Sequence, residues 1–538
     1  MKAKVKKVLA LLLCVLLTVS VAGCSSGEDS SQTDSNSSST NESQGETKAN
    51  ESAETEESTG DPVTLTIFRE GTRPMNEKTD TVRDYVRENL GIDMDMIQVA
   101  ENGAQQLALM ITNGEMPDLM LLSFDNYLDY VNQEAFTDIS ADVGNYENLD
   151  AYVGDYWDSV TVDGGIYGVP SLLPYATNHV SAIRKDWLDN LGLDMPTTLE
   201  EWEDVMRAFT FDDPDGNGED DTYGFFCNGF TYLGSILGAF GATSDQFYFL
   251  NDDDTITTNA ISDEYRQGLT YLRDLYKEGL IDPEIFTASS DQAYQKWSRG
   301  QFGLWTCWWS EPGNAYLRYG FEELQPDGDV QIIQPPIGQD GWQDNLYATP
   351  VNAVVAFSGF MTPEKKEAAL RLLDFGTTRE GFYTLMWGIE NVDYETDEDG
   401  NITWYWGVNN GMDRNGVEVT DMELYKLLYN EPIQREVDSM GTDLASVLYG
   451  TATEAQEEST SRENIFAFVR TDAYMEYHTE LEKYFQENSI RFIMGEKDIE
   501  TEWEQYKSEY LSMGGEAVRQ SMLAAYNESH GTDYTFRE

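Results

Sequence analysis

Between Val63 and Leu122 the hydrophobic pattern switches period repeatedly, and that switching constrains the fold more than any other feature of the chain. Val63, Leu65 and Ile67 alternate with Thr64 and Thr66, the period-two signature of a strand. From Thr79 to Leu90 the residues Val82, Tyr85, Val86 and Leu90 fall at helical spacing. Ile92, Met94 and Met96, with Val99, return to period two. Gln105 to Ile111 is helical again and closes at Asn113-Gly114. Asp118 to Leu122, after Pro117, reads as a short buried strand. A β-α-β-α-β order predicts an α/β fold with a mostly parallel sheet flanked by helices. Ligands of such sheets lie outside the carboxyl ends of the strands. Arg69, Glu70, Ser123 and Asp125 stand at or just beyond those ends and are candidate cleft residues.

What precedes Val63 is built differently. Lys2, Lys4, Lys6 and Lys7 precede an apolar run from Val8 to Leu17, and then comes Val21-Ala22-Gly23-Cys24. The run is too short to cross about 30 Å of hydrocarbon, which takes about 20 helical residues. Small residues before a cleavage point mark an export signal. Val-Ala-Gly-Cys resembles a bacterial lipobox, which implies cleavage after Gly23 and a diacylglycerol on the sulfur of Cys24. Residues 1–23 are therefore expected to be a lipoprotein signal peptide, and 24–61 the lipidated cysteine with its tether. Residues 25–60 are rich in Ser, Thr, Glu, Asn and Gln and lack aromatic and large aliphatic residues. Such a segment cannot offset its ordering entropy. As a coil it would reach about 30–35 Å from the lipid surface.

Residues 62–538 remain for folding, too many for one core, so two lobes are expected. The formal charge of −64 excludes nucleic acid and anionic surfaces as electrostatic partners. In the folded part only Cys227 and Cys307 remain; an oxidising exterior would let them pair if geometry allows. There is no CxxC, and His179, His478 and His530 are scattered, so neither a zinc cluster nor a His-based triad is expected. Further on, Thr198 and Glu201 have capping-box spacing, and Arg266 to Glu278 is an amphipathic helix. Val351 to Phe357 reads as a strand returning to the first lobe, and a hairpin is expected at Tyr394 to Trp406 with its turn at 398–401.

Several stretches carry a family resemblance. Leu107 to Asp118 joins a helix, a Gly turn and a Pro-Asp pair. Asp163-Gly164-Gly165-Ile166-Tyr167-Gly168-Val169-Pro170 is similar to a "DGKIYGLP" segment. Arg184 to Leu193, followed by Pro196 to Trp202, and Gly388 to Tyr394 add two more, and Ile493-Met494-Gly495, Trp503, Tyr506 and Gly514 to Tyr526 another. In order and spacing the chain resembles extracellular solute-binding lipoproteins of ABC transporters, family 1, of the carbohydrate type and LipO-like. The resemblance implies a two-lobed periplasmic-binding-protein-like fold, with solute held in a cleft between lobes joined by crossing strands. It places lobe 1 at about 62–176 plus 349–415 and lobe 2 at about 177–348 plus 416–538. It implies a monomeric receptor, anchored by lipid at the outer face of the bacterial membrane, that passes a carbohydrate, in particular an oligosaccharide, to permease subunits. An extracellular glycosidase or lyase and a sensing or scaffolding lipoprotein are the alternatives. No nucleophile motif or His/Arg constellation supports an enzyme.

Asp213, Asp215 and Asn217 occupy positions 1, 3 and 5 of a loop with Gly218 at 6 and Asp221 at 9. This is calcium-loop spacing, in which alternate side chains turn hard oxygens inward. Glu219 would contribute its backbone carbonyl. Position 12 is Gly224 instead of a glutamate, and Asp221 is followed by Thr222, so a ligand is missing unless water or Asp220 replaces it. A structural Ca²⁺ away from the solute is expected. For the solute, aromatic walls with convergent polar groups are needed. Trp308 and Trp309, Tyr175 after Pro174, and Trp387 are candidates beside Arg69, Glu70 and Asp125, whereas Trp305 reads as core.

Overall fold

A computed structural model describes residues 61–70, 80–99, 102–173, 177–345, 350–397, 402–404, 422–428 and 444–537. Cys24, the signal and tether, Tyr175 and the turn 398–401 lie outside these residues. Among the described residues no helix is long and apolar enough to cross a membrane.

Two sheets organise the chain. Their strands are β1 (Val63–Glu70), β2 (Ile92–Val99), β3 (Leu119–Leu122), β4 (Gly168–Leu172), β5 (His179–Arg184), β6 (Tyr223–Cys227), β7 (Phe302–Trp308), β8 (Val330–Ile333) and β9 (Val351–Phe357). The first sheet has the order β2-β1-β3-β9-β4 and the second β8-β5-β7-β6. In each sheet one strand runs against the rest: β9 in the first and β5 in the second. These are the two strands that receive the chain from the other sheet. An arriving strand starts at the end where its new neighbours finish, so it must be antiparallel to them. The expectation of mostly parallel sheets holds with that single reversal in each.

Period-two alternation divides each sheet into two cores. On the first sheet Leu65, Ile67, Leu119, Val355 and Phe357 face one core, while Phe68, Met120, Leu122, Val354 and Ala356 face the other. On the second sheet Ile183, Phe225, Cys227 and Leu304 face a core completed by Phe485, Trp503, Tyr506 and Met522 of the carboxyl-terminal helices. Val180, Ala182, Phe226, Trp305 and Cys307 face the opposite core, covered by the helix Leu444–Glu458 through Leu448 and Tyr449. Thr198 closes the capping box expected of it: its hydroxyl accepts from the Glu201 amide at 3.2 Å, and its own amide donates to the Glu201 carboxylate at 3.0 Å. Strands Tyr394–Thr396 and Ile402–Trp404 pair antiparallel, as the hairpin pattern requires.

Cys227 and Cys307, whose pairing the sequence leaves open, are free thiols. The parallel register sets Cys227 opposite Thr306, so Cys307 points to the other face of the sheet and the two sulfurs lie in different cores. Leu424, Tyr425, Leu427 and Leu428 pack in the first-sheet core, so the segment 422–428 sits with the first lobe and not in a second lobe beginning at 416. The apolar run around Leu424 carries no mark of which sheet it covers.

Candidate functional site

The chain leaves β4 to begin β5, and leaves β8 to begin β9. Both passages join the ends of the sheets at which β1, β3, β6 and β7 finish. Two rims of strand ends therefore face the passages between the lobes, and the site is built from what those rims display.

On the first rim, Arg69 donates from Nη1 to the Leu424 carbonyl at 2.9 Å. Glu70 accepts at Oε1 from the Gly103 amide at 3.0 Å, placing its charge at the amino end of the helix Gly103–Asn113. Glycine leaves room for that approach: a Cβ on residue 103 would lie 2.5 Å from Glu70 Oε2 and displace the carboxylate. Ser123 caps the helix Phe124–Asn132 by accepting from the Asn126 amide at 3.3 Å. Glu70 and Ser123 thus stabilise helix starts. Asp125 does something else: it reaches the second lobe. Its Oδ1 accepts from Arg470 Nε at 2.7 Å, and its Oδ2 from the Tyr474 hydroxyl at 3.4 Å. Arg470 is held by the carbonyls of Ala467 and Val469 at 2.9 and 3.2 Å. Its guanidinium lies over the rings of Tyr474 and Phe124 at 4.4 and 5.4 Å. Phe124 in turn meets Phe468 edge-on at 5.8 Å. Behind Arg470 the second lobe encloses a cavity of about 200 Å³ lined by Asp245, Gln246, Tyr474, Glu482 and Tyr510.

On the second rim, Trp308 is half-buried at the end of β7, edge-on to His179 at 6.2 Å. His179 stacks on Tyr232 at 4.4 Å. Burial lowers its imidazole to about 4, so the ring is neutral at physiological pH. Glu311 opens the helix Glu311–Tyr319 and is 7% exposed. Its Oε2 accepts from the Trp308 amide and its Oε1 from Asn228 Nδ2, both at 3.0 Å. Burial pushes its carboxyl up to about 7, against the opposing pull of those two donors.

The remaining candidates fall elsewhere. Trp309 is a correction: it is 2% exposed and packs against Tyr449 at 5.8 Å. Trp305, Cys307 and Trp309 share one face by alternation and enter the same core. Trp305 is core, as its pattern indicated. Trp387 is also buried, at 6% exposure, between Phe382 and Tyr383 at 5.6 and 5.1 Å. Asn228, Glu311 and Arg470 escape the sequence reading. Glu311 before Pro312 resembles any acidic helix start, and Arg470 lies 345 residues from Asp125.

The acidic loop follows the helix Leu199–Phe211 and leads into the first residue of β6. It therefore stands at the end of the second sheet away from the rims. Asp213, Gly216 and Gly218 all take positive φ, at 51, 69 and 79°. The Gly218 amide donates to Asp213 at 3.1 Å, and the Asn217 side-chain amide to Asp215 and Asp221 at 2.9 and 3.3 Å. Burial, and then the charges of Asp221 and Asp213, raise the Asp215 carboxyl above its ordinary range despite the Asn217 amide. Among the described residues no set of three His, Cys, Asp or Glu side chains is gathered for a metal.

With this geometry in view, the sequence model of the family described as bacterial extracellular solute-binding protein matches residues 72–381. The chain belongs to that family. It is 30% identical over 266 residues to the polygalacturonan/rhamnogalacturonan-binding protein YtcQ of Bacillus subtilis, covering 48% of this chain and 51% of that protein. It is 27% identical over 255 residues to the fructooligosaccharide ABC transporter substrate-binding protein FusA of Streptococcus pneumoniae, covering 44% and 47%. The chain thus spans about half the length of the curated relatives it matches. Its fold is that of the alginate-binding protein AlgQ2 solved without calcium ion, with TM-score 0.68, 19% identity and coverage of 87% of this chain and 99% of that one. It is equally that of S. pneumoniae FusA in complex with kestose, with TM-score 0.66, 19% identity and coverage of 87% and 100%. These likenesses establish the two-lobed binding-protein fold.

The Asp125–Arg470 contact generates a first test. Because the two side chains form one bond between lobes, Asp125→Ala and Arg470→Ala should each lower the melting temperature, and the double variant should lose little more than the worse single one. A coupling of about 1 kcal/mol is expected for a pair of this exposure; additive losses would show that the contact carries no energy.

Proposed function

We propose that this chain is the receptor of an ABC importer, which captures an oligosaccharide between its lobes and presents it to membrane permease subunits. The observation that carries the reading is the pair of rims facing the same passages, one of them floored by Trp308 with Asn228 and Glu311. An indole face beside hydrogen-bonding groups suits a sugar ring, which offers apolar C–H faces and peripheral hydroxyls. The relatives named for pectic glycans and fructooligosaccharides support a carbohydrate. No enzymatic step is assigned to the site. A glycan panel tests this: binding should raise the melting temperature with every sugar recovered intact. Release of product would instead support an enzyme.

The lipobox-like Val21-Ala22-Gly23-Cys24 supports anchoring of the receptor at the outer face of the cell membrane, as does the relative lipoprotein LipO of B. subtilis. Two acyl chains on Cys24 suffice for stable attachment. Cys24→Ala should move the protein from the membrane fraction to the medium with solute affinity unchanged; retention in the membrane fraction would refute the anchor.

A structural Ca²⁺ in the acidic loop completes the reading. The donor chemistry fits a hard cation: Asp213, Asp215 and Asp221 bring carboxylates, Glu219 a carbonyl, and Asn217 an amide that would turn its oxygen inward. When bound, the ion would offset the burial and the neighbouring carboxylates that together raise Asp215, and fix the approach to β6. AlgQ2 was solved in a form without calcium ion, and another FusA structure is of an EF-hand mutant. Chelation should lower the melting temperature and added Ca²⁺ restore it, with Asp215→Ala abolishing the response. Melting indifferent to chelator, with no metal in the purified protein, would remove the ion from the account.

A further inference from the structure

We propose that the cleft takes neutral glycans and turns away uronates, and that Glu311 is the residue setting that choice. The inference rests on the receptor reading and names the charge class of its solute.

The argument begins with the position of Glu311. It stands on the rim facing the first lobe, directly after the half-buried Trp308 and its two following residues, and among the described residues its carboxyl has no cationic partner. Its two hydrogen bonds come from neutral donors, the Trp308 amide and the Asn228 side chain, one to each oxygen. Each oxygen keeps a further lone pair for a hydroxyl. A buried carboxyl without a counter-ion is expensive, and burial does drive this one toward neutrality. The groups around it add no positive charge. Tyr232, Cys227 and Cys307 feel its field and are themselves pushed up by burial. His179 is held neutral.

The opposite rim points the same way. Glu70 is exposed there and Asp125 half-buried. The two arginines that reach the passages are already occupied: Arg69 donates to the Leu424 carbonyl, and Arg470 to Asp125 and two backbone carbonyls. Among the described residues of the rims, no guanidinium is displayed in the bidentate manner by which carboxylates are recognised. A uronate brought against Trp308 would meet a carboxylate instead of a clamp. A neutral sugar would find acceptors for its hydroxyls, and the protonation of Glu311 near neutral pH would convert one acceptor into a donor.

The test measures binding by titration calorimetry at pH 8 to kestose and other neutral oligosaccharides of galactose, xylose, mannose and glucose. Trigalacturonate and an unsaturated rhamnogalacturonan disaccharide form the charged set. Wild type is expected to bind a neutral member at least tenfold more tightly than any uronide. Glu311→Gln keeps the shape and removes the charge. It should narrow that gap at least tenfold at pH 8 and leave it nearly unchanged at pH 5.5, where Glu311 is already protonated. Folding of the variant is followed by melting at both pH values. Loss of the buried ionised carboxyl should make it more stable than wild type at pH 8, by a margin that shrinks at pH 5.5 and is lost only below the ordinary carboxyl range. Should the variant not fold, the wild-type panel decides alone. A uronide bound by wild type within tenfold of the best neutral glycan would overturn the proposal while leaving the receptor reading intact. So would an unchanged preference in a folded Glu311→Gln, which would reduce Glu311 to a residue of the turn. Silence across both sets would overturn the receptor reading and this inference with it.

Discussion

The structure depends on one topological constraint: both passages that lead from a strand of one sheet to a strand of the other run at the ends where the parallel strands finish. That constraint forces β5 and β9 to run against their neighbours. It also sets the carboxyl ends of β1 and β3 against those of β6 and β7. Everything functional follows from the facing ends. Helix starts at Gly103, Phe124 and Glu311 gather there, and each brings an acidic side chain to its amino end. Amide donors at these starts stabilise negative charge, so the passages are lined by carboxylates before any ligand arrives. The ion pair that spans them, Asp125 to Arg470, joins an acid of the first lobe to a cation held by carbonyls and rings of the second.

How much of this was legible in the sequence depends on the range of the interaction. Local rules worked where a local pattern decides the outcome. The alternation at Val63 to Ile67, the capping box at Thr198 and the strand Val351–Phe357 all appear as read. Alternation could also have excluded Trp309, since it follows Trp305 and Cys307 at period two and enters their core. Its neighbour Trp308 lies at the edge of that core, edge-on to His179, and stays half-buried at the rim. The density of indoles drew notice to both, although only the period separates them.

Long-range pairings were not legible. Nothing in the segment around Arg470 announces Asp125, because the partnership is made by the packing of two lobes. Glu311 reads as an ordinary first-turn acid, and only its burial against Trp308 and Asn228 gives it another character. The same applies to the segment at Leu424, whose apolar residues suit either core and were drawn to the first sheet. The acidic loop is the reverse case: its spacing is legible, and its placement at the far end of β6 separates any ion from the solute.

On the proposed receptor function, a sugar draws the two lobes together across these rims. Small-angle X-ray scattering of the protein, alone and saturated with a glycan that raises its melting temperature, tests this directly. A smaller radius of gyration with glycan is expected, because closure brings Trp308 and the first rim onto the same ligand. An identical scattering profile with saturating glycan bound would contradict capture between the lobes.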